Sequence, residues 1–450
     1  VGVFPLDRID DKLGDGVERL VRSHHRRRLV GLGHAQVFEP PFGDWAASGT
    51  FPMRPGNAAE LLVDGAVALP RMVEEIERAH SHVHVAGWFF TPSFRMGDGG
   101  PTLRDLLADV ARRVDVRVLV WAGAPLPFFH PDRSEVRAMG DELVRGTAIA
   151  LALDSNERPM HCHHEKLVIV DDRVAFVGGI DLTTLAGDRL DHSLHPVRGT
   201  IGWHDACLRL EGPIVADVAA HFALRWRDVA GALPGGGEDA VAAAGELEAQ
   251  LVRTVPERIY SGLPRGEFTI AESYIAALRR AERLVYLESQ FLWSPELVSV
   301  LADKLREPPD PDFRVVVLLP ARPNNGADDT RGQLGVLVDA DDECDDGVGR
   351  LLACTLRQPG HDGEQVYVHA KVGIVDDRWL TVGSANLNEH SLFNDTEVNV
   401  VLRDPEFVRR ARRRLWAEHL ERDPEELDRD PCKVIDELWR PKVEAGAGDR

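Results

Sequence analysis

Two stretches of this 450-residue chain repeat one spacing of chemically able side chains, His164-x-Lys166-x4-Asp171 and His369-x-Lys371-x4-Asp376. Near neutral pH a histidine is a nucleophile or an acid/base, and a lysine two residues on is a cation for an anionic substrate. Each motif runs into an apolar stretch, Leu167-Val-Ile-Val170 or Val372-Gly-Ile-Val375, that reads as a strand. Side chains at i and i+2 of a strand face the same way, so His164 projects with Lys166 and His369 with Lys371. Brought together, two imidazoles and two ammonium groups make an anion pocket that already holds a nucleophile and an acid. Phosphodiester cleavage fits: one neutral His attacks phosphorus, while the other protonates the leaving oxygen and then activates water or an alcohol. The lysines hold the non-bridging oxygens. This scheme requires no metal or other cofactor, although calcium near the acidic run Asp339 to Asp346 is left open. Asp171 and Asp376 close their strands before Asp-Arg, where a carboxylate bonds turn amides, so a structural role is expected of them.

The motifs lie in a longer repeat. Residues 164–182 align with 369–387 without a gap, identical at ten of nineteen positions, at an offset of 205. A lone motif arises easily by chance, but two in register within a repeat that extends through Gly178 and Gly383 do not. Upstream, Ala66–Ala79 has Val67, Leu69, Met72, Val73 and Ile76 at helical spacing and leads into the apolar strand Val83–Phe90. Ile270–Ala281 leads into Leu284–Trp293 in the same way. Val116–Trp121 and Phe313–Leu319 read as strands covered on both faces, and Val215–Trp226 and Glu406–Leu420 as closing helices. Each half therefore reads β-α-β-α-β-β-α, and the fold class is α/β with a pseudo-twofold duplication, a mixed sheet flanked by helices in each half. The expected division is an N-terminal extension over residues 1–60, a first lobe over 61–236 and a second over 237–450, one motif in each lobe. Gly231–Asp239 reads as a flexible linker and about Asn324–Asp346 as a polar, acidic loop. The Gly178-Gly179 and Gly383-Ser384 steps allow close backbone approach near the motifs.

Composition narrows the partners. With 44% hydrophobic and 28% charged residues the chain is of ordinary globular type, and its length predicts more than one hydrophobic core. A net charge of −21 disfavours nucleic acid as a partner, while a locally positive pocket suffices for a phosphate ester. The five cysteines show no C-x-x-C pair, which suits a reducing cytoplasm or its membrane periphery, and no apolar run is long enough to span a bilayer. The chain starts at Val1 without an initiator Met, so a trimmed N-terminus, and with it secretion, stays open. His161-Cys-His-His164 invites a zinc reading, but no second ligand pair stands at metal spacing and no metal site is expected. Val17–Leu29 is basic and amphipathic, either a transient membrane-surface contact or, as the favoured reading, a surface helix with a solvated face.

These motifs resemble the phospholipase D superfamily, and the match runs from about Leu61 to about Leu420. Gly383-Ser-Ala-Asn-Leu-Asn388 looks like the family's Gly-Ser-x-Asn step, which puts Asn386 on its phosphate-contacting Asn. The matching first-half position is Asp181, a departure similar to that of phosphatidylcholine-hydrolysing enzymes of eukaryotic type. Trp203-His-Asp205 and Tyr286-Leu-Glu-Ser-Gln290 resemble segments of the same subgroup. The resemblance implies a bilobal fold with one active site between the lobes, substrate contacts from Gly179, Asp181, Ser384 and Asn386, and a phosphohistidine on His164 with His369 as acid/base. It also implies a carboxylate to orient each His: Glu397 for His369, and Asp205, with Asp191 the weaker choice, for His164. Nothing before Leu61 is long enough for the eukaryotic enzymes' lipid-targeting domains, so the elements that select a headgroup and dock a membrane are unassigned.

The expected activity is hydrolysis of phospholipid headgroup esters, with transfer to an alcohol as a companion reaction, the chain acting as a monomer because both motifs are internal. Trp88, Phe89, Phe90, Phe291 and Trp293 are candidates for a cleft lining or for core. A cardiolipin- or phospholipid-synthase activity, a nuclease and a silent phosphate-binding scaffold are the alternatives. A steep salt dependence of single-stranded DNA binding would favour the nuclease.

Overall fold

The β-branched runs do not form two sheets but one. A computed structural model describes residues 22–41, 45–126, 129–184, 202–233, 241–324, 326–344, 346–357 and 365–448. Helix α1 covers 22–32. The first half follows as β1 (Arg54–Val63), α2 (Gly65–Glu77), β2 (His82–Gly87), α3 (Leu103–Val110), β3 (Asp115–Trp121), α4 (Arg133–Val144), β4 (Ala150–Asp154), β5 (Leu167–Val170), β6 (Val174–Gly178), β7 (Trp203–His204), β8 (Ala206–Glu211) and α5 (Ile214–Ala230). The second runs β9 (Leu247–Val255), β10 (Glu267–Phe268), α6 (Thr269–Arg280), β11 (Leu284–Glu288), β12 (Leu292–Trp293), α7 (Pro295–Arg306), β13 (Arg314–Leu318), α8 (Ala327–Asp342) and β14 (Leu351–Cys354). It closes with β15 (Leu356–Arg357), β16 (Gln365–Val368), β17 (Val372–Val375), β18 (Trp379–Gly383), β19 (Leu387–Asn388), α9 (Glu389–Phe393), β20 (Glu397–Leu402) and α10 (Pro405–Leu420).

Strand order makes the duplication visible. From one edge the sheet runs β4-β3-β2-β5-β6-β8-β1, and from the other β14-β13-β11-β17-β18-β20-β9, the two series meeting where β1 pairs antiparallel with β9. In each half the three outer strands are parallel, joined through helices, and the inner four are antiparallel. Compared with the sequence reading, the four strands of each half become seven in the main sheet, among them β4 and β8 in the first half and β14 and β20 in the second.

There is more than one core, as the length predicts, but one of them is shared by the two halves. Leu167, Ile169 and Val177 of the first half share one buried cluster with Val372, Ile374 and Val382 of the second, under Phe222 of α5 and Leu415 of α10. Alternate residues of the same strands face the other way: Val168 and Val170 meet α2, α3 and α4, while Val285 and Val375 meet α6, α7 and α8. Pairing β1 with β9 removes the open edge that each half alone would present, which is why the core runs through. β1 also begins at Arg54, inside the stretch expected to be an N-terminal extension.

Two local readings change as well. The acidic stretch read as a loop contains α8, which α7 and β14 bury along Leu337 and Ala340. Its interior Gly332 and Gly335 and its many acids hid the apolar stripe. Helix α1 packs against the second half: Leu29 is buried, the His25 ring stacks on Phe393 at 4.9 Å, and Arg28 donates to Glu257 (3.0 Å) and to the Phe393 carbonyl (2.9 Å). Its apolar side thus faces protein. Residues 17–21 of that stretch, residues 234–240 of the linker and Asp191 lie outside the described residues.

The hairpins after the motifs explain the paired aspartates. Asp171 and Asp172 (φ 55° and 49°) and Asp376 and Asp377 (φ 53° and 52°) take the left-handed conformation that such turns demand. The Asp171 carboxylate accepts from the amides of His80, Ser81 and His82 at 2.8–3.0 Å. Asp376 accepts from Glu282, Arg283 and Leu284, each at 2.8 Å. Each thereby ties its hairpin to the entry of the neighbouring strand. Asp376→Ala is expected to lower stability by about 2 kcal/mol, since three amides lose a charged acceptor, and to change kcat less than about twofold. Urea unfolding and steady-state kinetics on the one variant check both halves of that statement.

Candidate active site

The two motifs converge at the seam, and they do so by exchanging partners. Ahead of β5, the His164 amide donates to the Thr396 carbonyl and the Thr396 amide to that of Cys162, both at 2.9 Å. Ahead of β17, the His369 amide donates to the His204 carbonyl (2.8 Å), and β16 pairs parallel with β7. Each His is therefore laced by its backbone to the residue before a carboxylate of the opposite half. His164 Nδ1 lies 3.1 Å from Glu397 Oε1, and His369 Nδ1 lies 2.7 Å from Asp205 Oδ2. The expected assignment, Glu397 to His369 and Asp205 to His164, is thus reversed. A ladder that crosses the seam delivers each carboxylate to the other half's histidine.

The environments of the two pairs differ. Glu397 is fully buried and also accepts from Ser384 Oγ (2.5 Å) and Ser391 Oγ (2.7 Å). Burial pushes its carboxyl up to about 7, against the pull of Lys166 and the Ser384 hydroxyl. Burial, then the Lys166 charge, holds His164 well below the usual imidazole range, so its neutral form prevails near pH 7. The His164 side chain is 16% exposed and that of His369 4%. His164 is the one of the pair more open to a ligand.

Both lysines curl back on their own motifs, Lys166 Nζ to the His164 carbonyl and Lys371 Nζ to that of His369. Lys166 also lies 3.4 Å from Asp181 Oδ1, so the residue that departs from the family pattern sits beside a motif cation. Burial lowers Lys371 to about 7, with Asp205 and Asp181 opposing and Lys166 adding to the drop. A lysine is charged below its pKa, so the unliganded site loses a positive charge as pH rises through about 7. We expect kcat/KM for an anionic substrate to fall on that alkaline side, and a profile flat to about pH 9 would contradict it.

The remaining expected contacts divide. Asn386 is buried, and its Oδ1 has no hydrogen-bond partner among the described residues. The Ser384 hydroxyl, expected at the substrate, instead holds Glu397 and accepts the Val398 amide. A Cβ on Gly179 would stand 2.1 Å from Asp205 Oδ1, so this glycine makes room for the carboxylate that His369 uses. Trp88 approaches His164 (ring centroids 6.4 Å), whereas Phe89 and Phe90 are core; Phe291 and Trp293 stack on each other at 5.1 Å. Trp203, unremarked as a ring in the sequence, packs on His369 at 4.6 Å and on Tyr367 at 4.5 Å. Ser391 was also missed, and its only signal was the Asn388 side chain capping its amide (2.7 Å). His161 Nε2 meets Thr396 Oγ1 at 3.0 Å and His163 Nε2 lies 3.2 Å from Asp154.

A duplicated α/β sheet with two crossed His–carboxylate pairs and two lysines at its seam defines a two-histidine, phosphate-handling class of site. A family model described as the cardiolipin synthase, phospholipase D-like domain matches residues 274–418. Phospholipase D A of Dictyostelium discoideum is 26% identical over 82% of this chain and 36% of its own length. The major cardiolipin synthase ClsA of Bacillus subtilis is 25% identical over 77% of this chain and 66% of its own. In structure, phosphatidylserine synthase of Haemophilus influenzae superposes with a TM-score of 0.56 at 16% identity, over 88% of this chain and 97% of that one, which shows the shared fold. These matches support a place for the chain in the phospholipase D superfamily. The chain spans between about a third and two thirds of the length of these curated relatives. Among the described residues, no helix is long and apolar enough to cross a membrane.

Proposed function

We propose that this chain cleaves phospholipid headgroup esters through a phosphohistidine on His164, passing the phosphatidyl group to water or to an alcohol. The observation that carries the reading is the crossed pairing: each imidazole has Nδ1 on a carboxylate, which directs Nε2 to the reacting phosphorus. In the first step the His164 Nε2 lone pair forms an N–P bond as the P–O bond to the headgroup breaks, and His369 gives its Nε2 proton to the departing oxygen. In the second, the oxygen of water or an alcohol attacks phosphorus, His369 takes its proton, and the N–P bond breaks. The neutrality and greater exposure of His164 support it as the nucleophile. Lys166 and Lys371 take the non-bridging oxygens, with Asn386 beside them.

The names of the relatives span hydrolases and synthases, so hydrolysis against transfer is the part to test. Product analysis on a mixed phospholipid panel, with and without a primary alcohol, separates them. A phosphatidyl alcohol formed only when alcohol is present is the expected result. A phospholipid product formed from two lipids without water consumption would mark a synthase. No release from any phospholipid, alongside cleavage of single-stranded DNA, would defeat the proposal.

A further inference from the structure

Behind His369 lies a buried polar chain that the reaction scheme does not use. Asp64, between β1 and α2, holds a positive φ of 62°, a costly backbone for a non-glycine residue. Its Oδ1 accepts from the Asp205 amide (2.8 Å) and its own amide donates to the Asp205 carbonyl (2.8 Å). The same Oδ1 lies 2.9 Å from His204 Nδ1, and His204 Nε2 lies 2.9 Å from Glu288 Oε2. Glu288 Oε1 in turn meets His419 Nε2 at 3.1 Å and accepts from the Tyr286 hydroxyl. Asp64, His204 and Glu288 are all 0% exposed. Finally, the His204 carbonyl accepts the amides of His369 (2.8 Å) and Ala370 (3.1 Å).

An imidazole with a carboxylate on each nitrogen needs a proton on each, because a bare lone pair 2.9 Å from a buried anion is repelled. Burial opposes a charged His204, but Glu288 and Asp64 more than offset it and hold its pKa well above the usual range. Glu288 is held far below the carboxylate range in return, burial being outweighed by His204 and His419. Glu418 also stands beside the ring, His419 packs on it edge-on at 4.7 Å, and Tyr286 lies behind Glu288. The other pair is held differently: Thr396 occupies the place before Glu397 that His204 occupies before Asp205, its hydroxyl meets His161, and Ser384 and Ser391 donate to Glu397 itself.

We propose that Asp64 and Glu288, acting through a His204 that stays protonated, are positioning residues for the His369–Asp205 pair. The imidazolium locks the 204–205 backbone between two carboxylates, and that backbone sets both the His369 main chain and the Asp205 carboxylate. His204, Glu288 and His419 also stand close enough together for a metal ion, but each Glu288 oxygen already faces its own imidazole nitrogen. The inference rests on the acid/base role given to His369 above.

Two measurements on the full chain test it. Long-range 1H–15N spectra of 15N-histidine protein, with His204→Gln to assign the ring, are expected to show both His204 nitrogens protonated at about pH 8. A singly protonated His204 ring, or stoichiometric zinc removable by chelator, overturns the proposal. In kinetics on a chromogenic phosphodiester, Glu288→Gln and Asp64→Ala are expected to lower kcat by roughly tenfold or more, with KM within about twofold and the kcat–pH profile displaced. Asp64→Asn, which keeps an acceptor for the Asp205 amide, is expected to recover much of the loss. Folded Glu288→Gln and Asp64→Ala proteins with wild-type kcat and pH profile also overturn it. Should wild-type protein not cleave phosphodiesters, the proposed function fails while the spectra still decide the state of His204.

Discussion

His164→Asn is expected to reduce turnover by about 10⁴-fold or more and to leave no phosphoryl group on the protein. His369→Asn should lose turnover by a similar factor in the steady state but behave differently within one cycle. With an activated leaving group the first step needs no acid, so His164 still attacks; the second step needs a base, so the N–P adduct accumulates. Rapid quench with a labelled chromogenic phosphodiester therefore separates the two histidines. Label on His369→Asn and none on His164→Asn is the expected pattern. Label retained by His164→Asn would reverse the assignment. The expectation draws on His164's neutral ring and greater exposure, since an attacking imidazole must be unprotonated and reachable.

The second large effect follows from the crossed carboxylates. Asp205→Asn is expected to lower kcat by about 10³- to 10⁴-fold, because an amide can neither hold the required tautomer of His369 nor stabilise its imidazolium. Glu397→Gln should act on the other step. With an activated leaving group, Asp205→Asn keeps the burst of leaving group and stalls afterwards, whereas Glu397→Gln loses the burst. Pairing within each half would exchange these phenotypes, so one burst experiment on two variants reads out which carboxylate serves which histidine. Their 2.7 and 3.1 Å contacts, each to the opposite half's Nδ1, are what the experiment interrogates.

The histidines and lysines were legible because alternation along a strand is local: covalent geometry alone puts i and i+2 on one side. The structural role of Asp171 and Asp376 was legible from a carboxylate closing a strand, but its partners were not: they are amides 89 to 94 residues away, at the entry of the neighbouring strand, and not those of the turn. Helix α8 was not, because acids and two glycines dilute the buried stripe of Leu337 and Ala340 that its neighbours complete. The link between His204, Glu288 and Asp64 was not visible either, although His204 and Glu288 lie in segments that the resemblance had picked out. They lie far apart in the chain, and a buried ion network is defined only by who meets whom.

From the sequence by itself came the duplicated α/β plan, the four His and Lys side chains and the structural character of the motif aspartates. Each rests on local residue chemistry, on short-range geometry or on a repeat that can be read by eye. Only the tertiary structure decided that the halves share one sheet and the core on one of its faces, and that Glu397 meets His164 while Asp205 meets His369. A repeat says that two positions are equivalent, but it is silent on whether equivalents pair within a half or across the seam. That choice belongs to contacts between residues more than 160 apart in the chain, across the same seam at which β1 pairs with β9.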